Sequence, residues 1–187
     1  LHLCDRNLEN INDYSKINNT HNLLLEVSLA AKHEGEMITG YYPQYQTKYN
    51  DSPSEMCTML ARSFADIGDI IRGKDLYRGN NKRRQQLENN LKTIFKKIYD
   101  NLVIQKPQAR ERYKKDGENF YQLREDWWAL NRKDVWKAIT CDVKSGNNYF
   151  RHTCSNGRSE TNNNCRCDGS NADQVPTYFD YVPQYLR

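Results

Sequence analysis

Apolar positions along this chain recur every three or four residues in several long stretches. They almost never alternate, so the pattern predicts helices and no strands. The clearest stripe is Leu87, Leu91, Ile94, Phe95, Ile98 and Leu102. A second runs through Cys57, Leu60, Phe64, Ile67 and Ile71, on a helix reaching about Arg72 and opened by Ser54 as an N-cap after Pro53. Gly68 costs that helix about 1 kcal/mol relative to Ala, which points to close approach by a neighbouring helix. Leu23, Leu24, Leu25, Val27 and Leu29 predict a mostly buried helix from Asn22 to Met37, ended near Gly35 or Gly40.

Residues 40–53, with four tyrosines and two prolines, are expected to form an irregular connection, and Gly73–Asn81 a loop. Charged residues from Arg110 to Lys115 lead into a helix around Phe120–Leu130. A further helix is expected after Asn131, as N-cap, to about Val143, with Val135, Trp136 and Ile139 inward. From Lys144 to Gln174 the composition predicts a long irregular loop, and Tyr178–Leu186 reads as the opening of another helix. The fold class is therefore all-α: a disulfide-stapled helical bundle with long irregular loops. One domain covers 1–187, with a helical core at about 22–143, a cysteine-rich loop at about 144–175 and a helix start at 178–187.

Composition sharpens this picture. Hydrophobic residues make up 37% and charged residues 28% of the 187, and mean hydropathy is −1.00, so a modest core carries a very polar surface. No apolar run approaches the roughly 20 residues that span a bilayer. The chain opens Leu1-His2-Leu3-Cys4 without a leader, so anchoring is expected from sequence outside it, and the chain reads as a fragment.

Six cysteines, Cys4, Cys57, Cys141, Cys154, Cys165 and Cys167, fit a disulfide framework with fifteen connectivities. Four fall in the Asn-, Ser- and Gly-rich 141–167 segment, where staples offset a weak core and imply an oxidising compartment. A zinc set of His152, Cys154, Cys165 and Cys167 is the rival, but the spacing does not suit it. A bond from Cys57 to the 141–167 cluster is preferred because it closes a long loop, with its partner left open. Cys4 is the first candidate to lack a partner.

Catalytic chemistry finds little support. His152 near Cys154 is the one Cys–His pair, and a disulfide would consume its thiol. Asp66, Asp69, Glu125 and Asp126 read as solvated or paired with Arg62 or Arg72. No phosphate loop, HExxH or EF-hand pattern occurs, and no cofactor is expected. Trp127, Trp128 and Trp136 read as core; Trp128 and Trp136 share a face only if one helix runs through Asn131.

The charge pattern offers the candidate site. Net charge is +4, and two concentrations of cations stand out. One is Lys82, Arg83, Arg84, Lys92, Lys96 and Lys97; the other is Arg110, Arg112, Lys114 and Lys115. An ordinary solvated face is the plain reading. The functional one is a surface for a sulfated glycan, with binding that weakens steeply in salt.

Three blocks carry a resemblance: Cys57-Thr-Met-Leu-Ala-Arg-Ser-Phe-Ala-Asp-Ile-Gly-Asp-Ile-Ile-Arg-Gly73, Trp127-Trp128 through Trp136 to Cys141, and Tyr178-Phe-Asp-Tyr-Val-Pro-Gln-Tyr-Leu-Arg187. In that order they resemble the Duffy-binding-like adhesion domains of malaria parasites. The likeness is greatest to the alpha class of the variant erythrocyte membrane protein of Plasmodium falciparum, with this chain as the middle of such a domain. The four cysteines between the motifs are similar to the commoner subclass.

The resemblance implies cytoadherence or rosetting, a place on the infected red cell surface within a larger anchored protein, and no enzyme activity. It implies host erythrocyte or endothelial receptors, heparan sulfate, blood-group sugars or complement receptor one, host antibodies and adjacent domains as partners. It also implies antigenic variation in loop 144–175. The competing role is a structural spacer, with receptor binding carried by neighbouring domains.

Overall fold

The computed structural model describes residues 8, 11, 17, 19–49, 54–75, 82–169, 172 and 174–187. Four long helices dominate: α1 (Thr20–Tyr49), α2 (Ser54–Arg72), α3 (Lys82–Gln105) and, after the single-turn α4 (Ala109–Arg112), α5 (Tyr121–Ile139). Among the described residues no strand forms, and only isolated bridges occur, such as Asn147 with Asn164. Cys4, Pro53 and positions 76–81 of the expected loop lie outside the described residues.

The core follows from the sequence stripes. Leu87, Leu91, Ile94, Phe95 and Ile98 of α3 are buried, as are Leu60, Phe64, Ile67 and Ile71 of α2. Helix α5 lies between them and joins the two halves. Trp128 and Trp136 both pack on Phe64, with ring centroids 5.2 Å away in each case. Trp127, one residue earlier, points the other way and meets Phe95 edge-on at 6.2 Å. All three tryptophans are at most 3% exposed, so they are core residues.

Two expected breaks are not breaks. Helix α1 continues past Gly35, Gly40 and Pro43 to Tyr49, where an irregular connection was expected. Burial explains part of this: Ile38 and Tyr42 are in the core and hold the extension down. Gly35 is where α1 crosses α5, and a Cβ there would strike the Ile139 backbone. Likewise α5 is one helix through Asn131, not two. The Asn131 side chain donates 2.8 Å back to the Trp127 carbonyl, inside the helix, instead of capping a new one. That continuity puts Trp128 and Trp136 on one face. The helix stops at Ile139, short of Val143, and residues 178–187 form two 3-10 turns, Phe179–Tyr181 and Gln184–Leu186, where a longer helix was expected.

Gly68 behaves as predicted. An added Cβ would lie 2.7 Å from the Trp128 ring, so the missing side chain lets α2 and α5 touch.

The cysteine-rich segment after α5 is held covalently. Cys57 on α2 bonds Cys165, and Cys154 bonds Cys167. Cys141 makes no bridge among the described residues. Its exposed thiol contacts Asp142 at 3.4 Å, and desolvation, then that carboxylate, push its pKa up.

Buried arginines complete the frame. Arg124 is fully buried and donates to the Ile71 carbonyl at 2.6 Å and to the Ile70 carbonyl at 3.1 Å. It thereby satisfies orphan carbonyls at the C-terminus of α2. Its charge is matched by Glu88 at 2.8 and 2.9 Å. Asp180 accepts from Trp128 Nε1 at 2.8 Å and from Arg132 at 2.7 and 2.8 Å. Arg72 reaches Asp69 at 3.0 Å and the Asp180 carbonyl, which pins the C-terminal turns to α2 and α5.

Candidate receptor-binding surface

Helical geometry decides which cations can act together. On α3, the buried stripe occupies one side. Lys82, Lys92 and Lys96 fall on the opposite side, with Lys82 and Lys96 about 21 Å apart along the axis. Lys97 lies on the flank of the helix and is half-buried, and Arg84 turns inward to pair with Asp75 at 3.6 Å. Arg83 and Lys97 also have partners of their own.

The second basic group folds back onto the first. After α3 the chain turns through Pro107 into α4, then through the Gly117–Asn119 3-10 turn into α5. Gly117 (φ 58°) and Phe120 (φ 53°) take left-handed conformations in that reversal. The outcome is a cleft of about 480 Å³ between α3 and α4. Lys96, Arg110 and Lys114 lie at its edge together with Asp100 and Glu111. Tyr99, Tyr113 and Phe120 supply its aromatic wall, with Tyr99 5.8 Å from Phe120 and 6.5 Å from Tyr113.

Several candidates are already engaged. Arg112 donates to both oxygens of Asp126, at 2.6 and 2.9 Å. Tyr113 donates to the same carboxylate at 2.7 Å. Hydrogen bonding to Asp126 raises the Arg112 pKa, and hydrogen bonding from Arg112 holds the Asp126 carboxyl below its ordinary value. Burial, then its bond to Asp126, pushes the Tyr113 phenol up. Lys96 pairs with Asp100 at 2.7 Å and Lys114 with Glu111 at 3.8 Å, both at exposed positions where such pairs are weak. Among the described residues, Lys82, Lys92, Arg110 and Lys115 form no ion pair. The cluster thus offers cations, exposed apart from the half-buried Lys92, beside aromatic rings and interrupted by two carboxylates.

The alternatives weighed against adhesion lose their reagents. Cys154, Cys165 and Cys167 are all bridged, so the zinc set has no thiolates and His152 has no thiol to activate. His152 instead pairs with Glu160 at 3.1 Å on the surface. Asp69 pairs with Arg72, as expected. Asp66 was expected to pair locally, yet its partner is Arg187 at 3.5 Å, from the far end of the sequence. No helix among the described residues is long and apolar enough to cross a membrane.

The described residues form a helical domain tied by two disulfides. The chain belongs to the Duffy binding domain family, whose model matches residues 1–187. It is 31% identical over 108 residues to the Duffy receptor gamma form of Plasmodium knowlesi, covering 57% of this chain and 8% of that protein. The beta form of the same organism is 27% identical over 161 residues, covering 81% and 12%.

Among solved structures, the chain is similar to the N-terminal NTS-DBL1-alpha and CIDR-gamma double domain of PfEMP1 from the Plasmodium falciparum varO strain. The TM-score is 0.78 at 43% identity, over 99% of this chain and 25% of that one. It is also similar to a PfEMP1 DBLβ domain bound to human ICAM-1, with a TM-score of 0.62 at 30% identity over 89% and 30%. The chain therefore spans about a tenth of the curated relatives and a quarter of the double domain.

Proposed function

We propose that this chain is part of an extracellular adhesion module of a parasite variant surface antigen, displayed on the infected erythrocyte and contacting host-cell receptors. The observation that carries this reading is the family match along all 187 residues, joined to structural likeness with domains solved bound to ICAM-1. We place the contact on the outward face of α3 and the adjoining cleft. Lys82, Lys92, Arg110 and Lys115 give it uncommitted positive charge, and Tyr99 and Phe120 give it rings that a sugar face can stack on. A sulfated glycan matches that chemistry, because closely spaced cations displace its condensed counterions.

The test is retention of the oxidised chain on immobilised heparin across a salt gradient, with circular dichroism as the control for folding. Elution well above physiological salt, lost when Lys82, Lys92 and Lys96 are changed to Glu, supports the proposal. A folded chain that is not retained refutes the glycan site. The spacer reading has one observation in its favour: Asp100 and Glu111 stand among the cations of the cleft and partly cancel them. Under that reading, charge reversal leaves host-cell binding by the intact parent protein unchanged.

A further inference from the structure

The variable segment carries a chemical feature that the adhesion reading does not use. Residues 154–159 form a tight loop, closed by Cys154 N–H donating to the Ser159 carbonyl and Ser159 N–H to the Cys154 carbonyl, both at 3.0 Å. Ser155 N–H is held by the Gln174 side chain at 3.1 Å, and the Cys154–Cys167 bridge fixes the base. At the tip stand Asn156 and Gly157, which form the one Asn-Gly pair in the sequence. Asn156 is exposed, sits in the left-handed region (φ 57°, ψ 42°), and its side chain makes no hydrogen bond among the described residues. Gly157 is also left-handed (φ 86°), and a Cβ there would meet only the His152 carbonyl, at 3.7 Å.

We propose that Asn156 is a site of spontaneous deamidation. The Gly157 backbone nitrogen, after losing its proton to solvent base, attacks Cγ of Asn156. The new C–N bond closes a five-membered succinimide, and the C–NH2 bond breaks with ammonia as the leaving group. Water then opens the ring at either carbonyl, giving aspartate or, with the backbone rerouted through the side chain, isoaspartate. No oxidant or reductant is needed. Glycine at the following position matters because no side chain shields its nitrogen or resists the rotation about ψ that brings it behind Cγ.

Several described asparagines differ in just these respects. Asn89 and Asn101 lie within α3, where the following N–H is committed to the helix. Asn147 donates to the Lys144 carbonyl at 3.0 Å, and Asn162 accepts from Asn163 N–H at 2.9 Å. The change at Asn156 falls on one loop tip. It adds one negative charge beside exposed Arg158 and, in the isoaspartyl form, one extra main-chain methylene, while both disulfides keep the rest in place.

The test is to hold the oxidised full chain at physiological pH and body temperature and to follow the peptides by mass spectrometry over days. The expected result is conversion of carboxamide to carboxyl at Asn156 ahead of every other asparagine, with isoaspartate as a product and a rate that rises with pH. Asn156→Gln should abolish it. Gly157→Ala should slow it by roughly tenfold, since a side chain at positive φ restricts the attacking nitrogen. Formation of the Cys154–Cys167 bridge in each variant shows that the loop is intact. No conversion at Asn156, or equal conversion at Asn89 and Asn101, overturns the proposal.

Discussion

Helix α1 contains two glycines that should respond to the same substitution with opposite signs. Replacing a mid-helix Gly by Ala gains about 1 kcal/mol, chiefly because the unfolded backbone loses freedom. Gly40 has nothing within 4 Å of the place its Cβ would occupy, so Gly40→Ala should realise that gain. At Gly35 the same Cβ would lie 2.9 Å from the Ile139 carbonyl carbon and closer still to its oxygen. That neighbour is main chain at the end of α5 and cannot rotate aside. The helices must part by about an ångström, and a gap of that size forfeits a quarter to a half of the dispersion attraction across the contact.

Overpacking of this kind costs about 1–3 kcal/mol, and the contact here is at the severe end. The net expectation is a loss of about 2 kcal/mol for Gly35→Ala. In a domain of this size each kcal/mol moves Tm by about 2–4 °C. Thermal unfolding followed by circular dichroism should therefore show a rise of about 2–4 °C for Gly40→Ala and a fall of about 4–8 °C for Gly35→Ala. Two shifts of the same sign would refute the claim that α1 and α5 touch through Gly35.

Three further expectations follow from buried charge and covalent links. Asp180→Asn leaves Arg132 and Trp128 facing a neutral amide where a fully buried carboxylate had stood; a loss of about 3–5 kcal/mol is expected in urea unfolding. The two disulfides should rank by loop length: replacing Cys57 and Cys165 by Ala, which opens a separation of 108, should cost about 4–5 kcal/mol on the chain-entropy model. Replacing Cys154 and Cys167, separated by 13, should cost about 3 kcal/mol, and denaturant midpoints in the opposite order would reject that account. Burial, opposed by Arg187 and assisted by Asp69, lifts the Asp66 pKa from 3.8 to about 6. The folded state then holds this proton more tightly than the unfolded chain. Its stabilising contribution is complete below pH 3.8 and is lost as pH rises through about 6. Asp66→Asn should flatten the stability profile in that window, and an unchanged profile would count against a raised pKa at the partly buried Asp66.

Much of the fold was legible because its core obeys helical periodicity. The α3 stripe from Leu87 to Ile98 and the α2 stripe from Cys57 to Ile71 both turned inward, and Gly68 marked the α2–α5 contact in advance. The errors came from residues whose local preference was overridden by packing. Gly35 read as a stop but is a crossing point, Gly40 and Pro43 are carried by the burial of Ile38 and Tyr42, and Asn131 read as a cap but bonds within its own helix.

The candidate surface was legible as a set of cations, not as an arrangement. Sequence spacing could not reveal that Asp126 takes up Arg112, that Asp75 takes up Arg84, or that Arg110 and Lys114 return to the side of Lys96. The turn between α3 and α5 brings together Arg112 with Asp126 and Arg110 and Lys114 with Lys96, while the α2–α3 connection brings Asp75 to Arg84. The buried roles of Arg124 and Arg132 were also missed, because an arginine that caps a distant helix or meets a distant aspartate has no local signature.

The Cys57–Cys165 bond has a mechanical consequence. Its two α-carbons are 5.5 Å apart, yet the chain joining them, a sequence separation of 108, would span about 360 Å if drawn out. Tension applied to the two ends of the chain passes across this bond, from the first turn of α2 straight into the cysteine-rich segment. Helices α3 and α5 and the cleft between α3 and α4 lie inside the closed loop and are bypassed by the pull. A surface in that position can keep its shape under load while the segments outside the loop take up the extension.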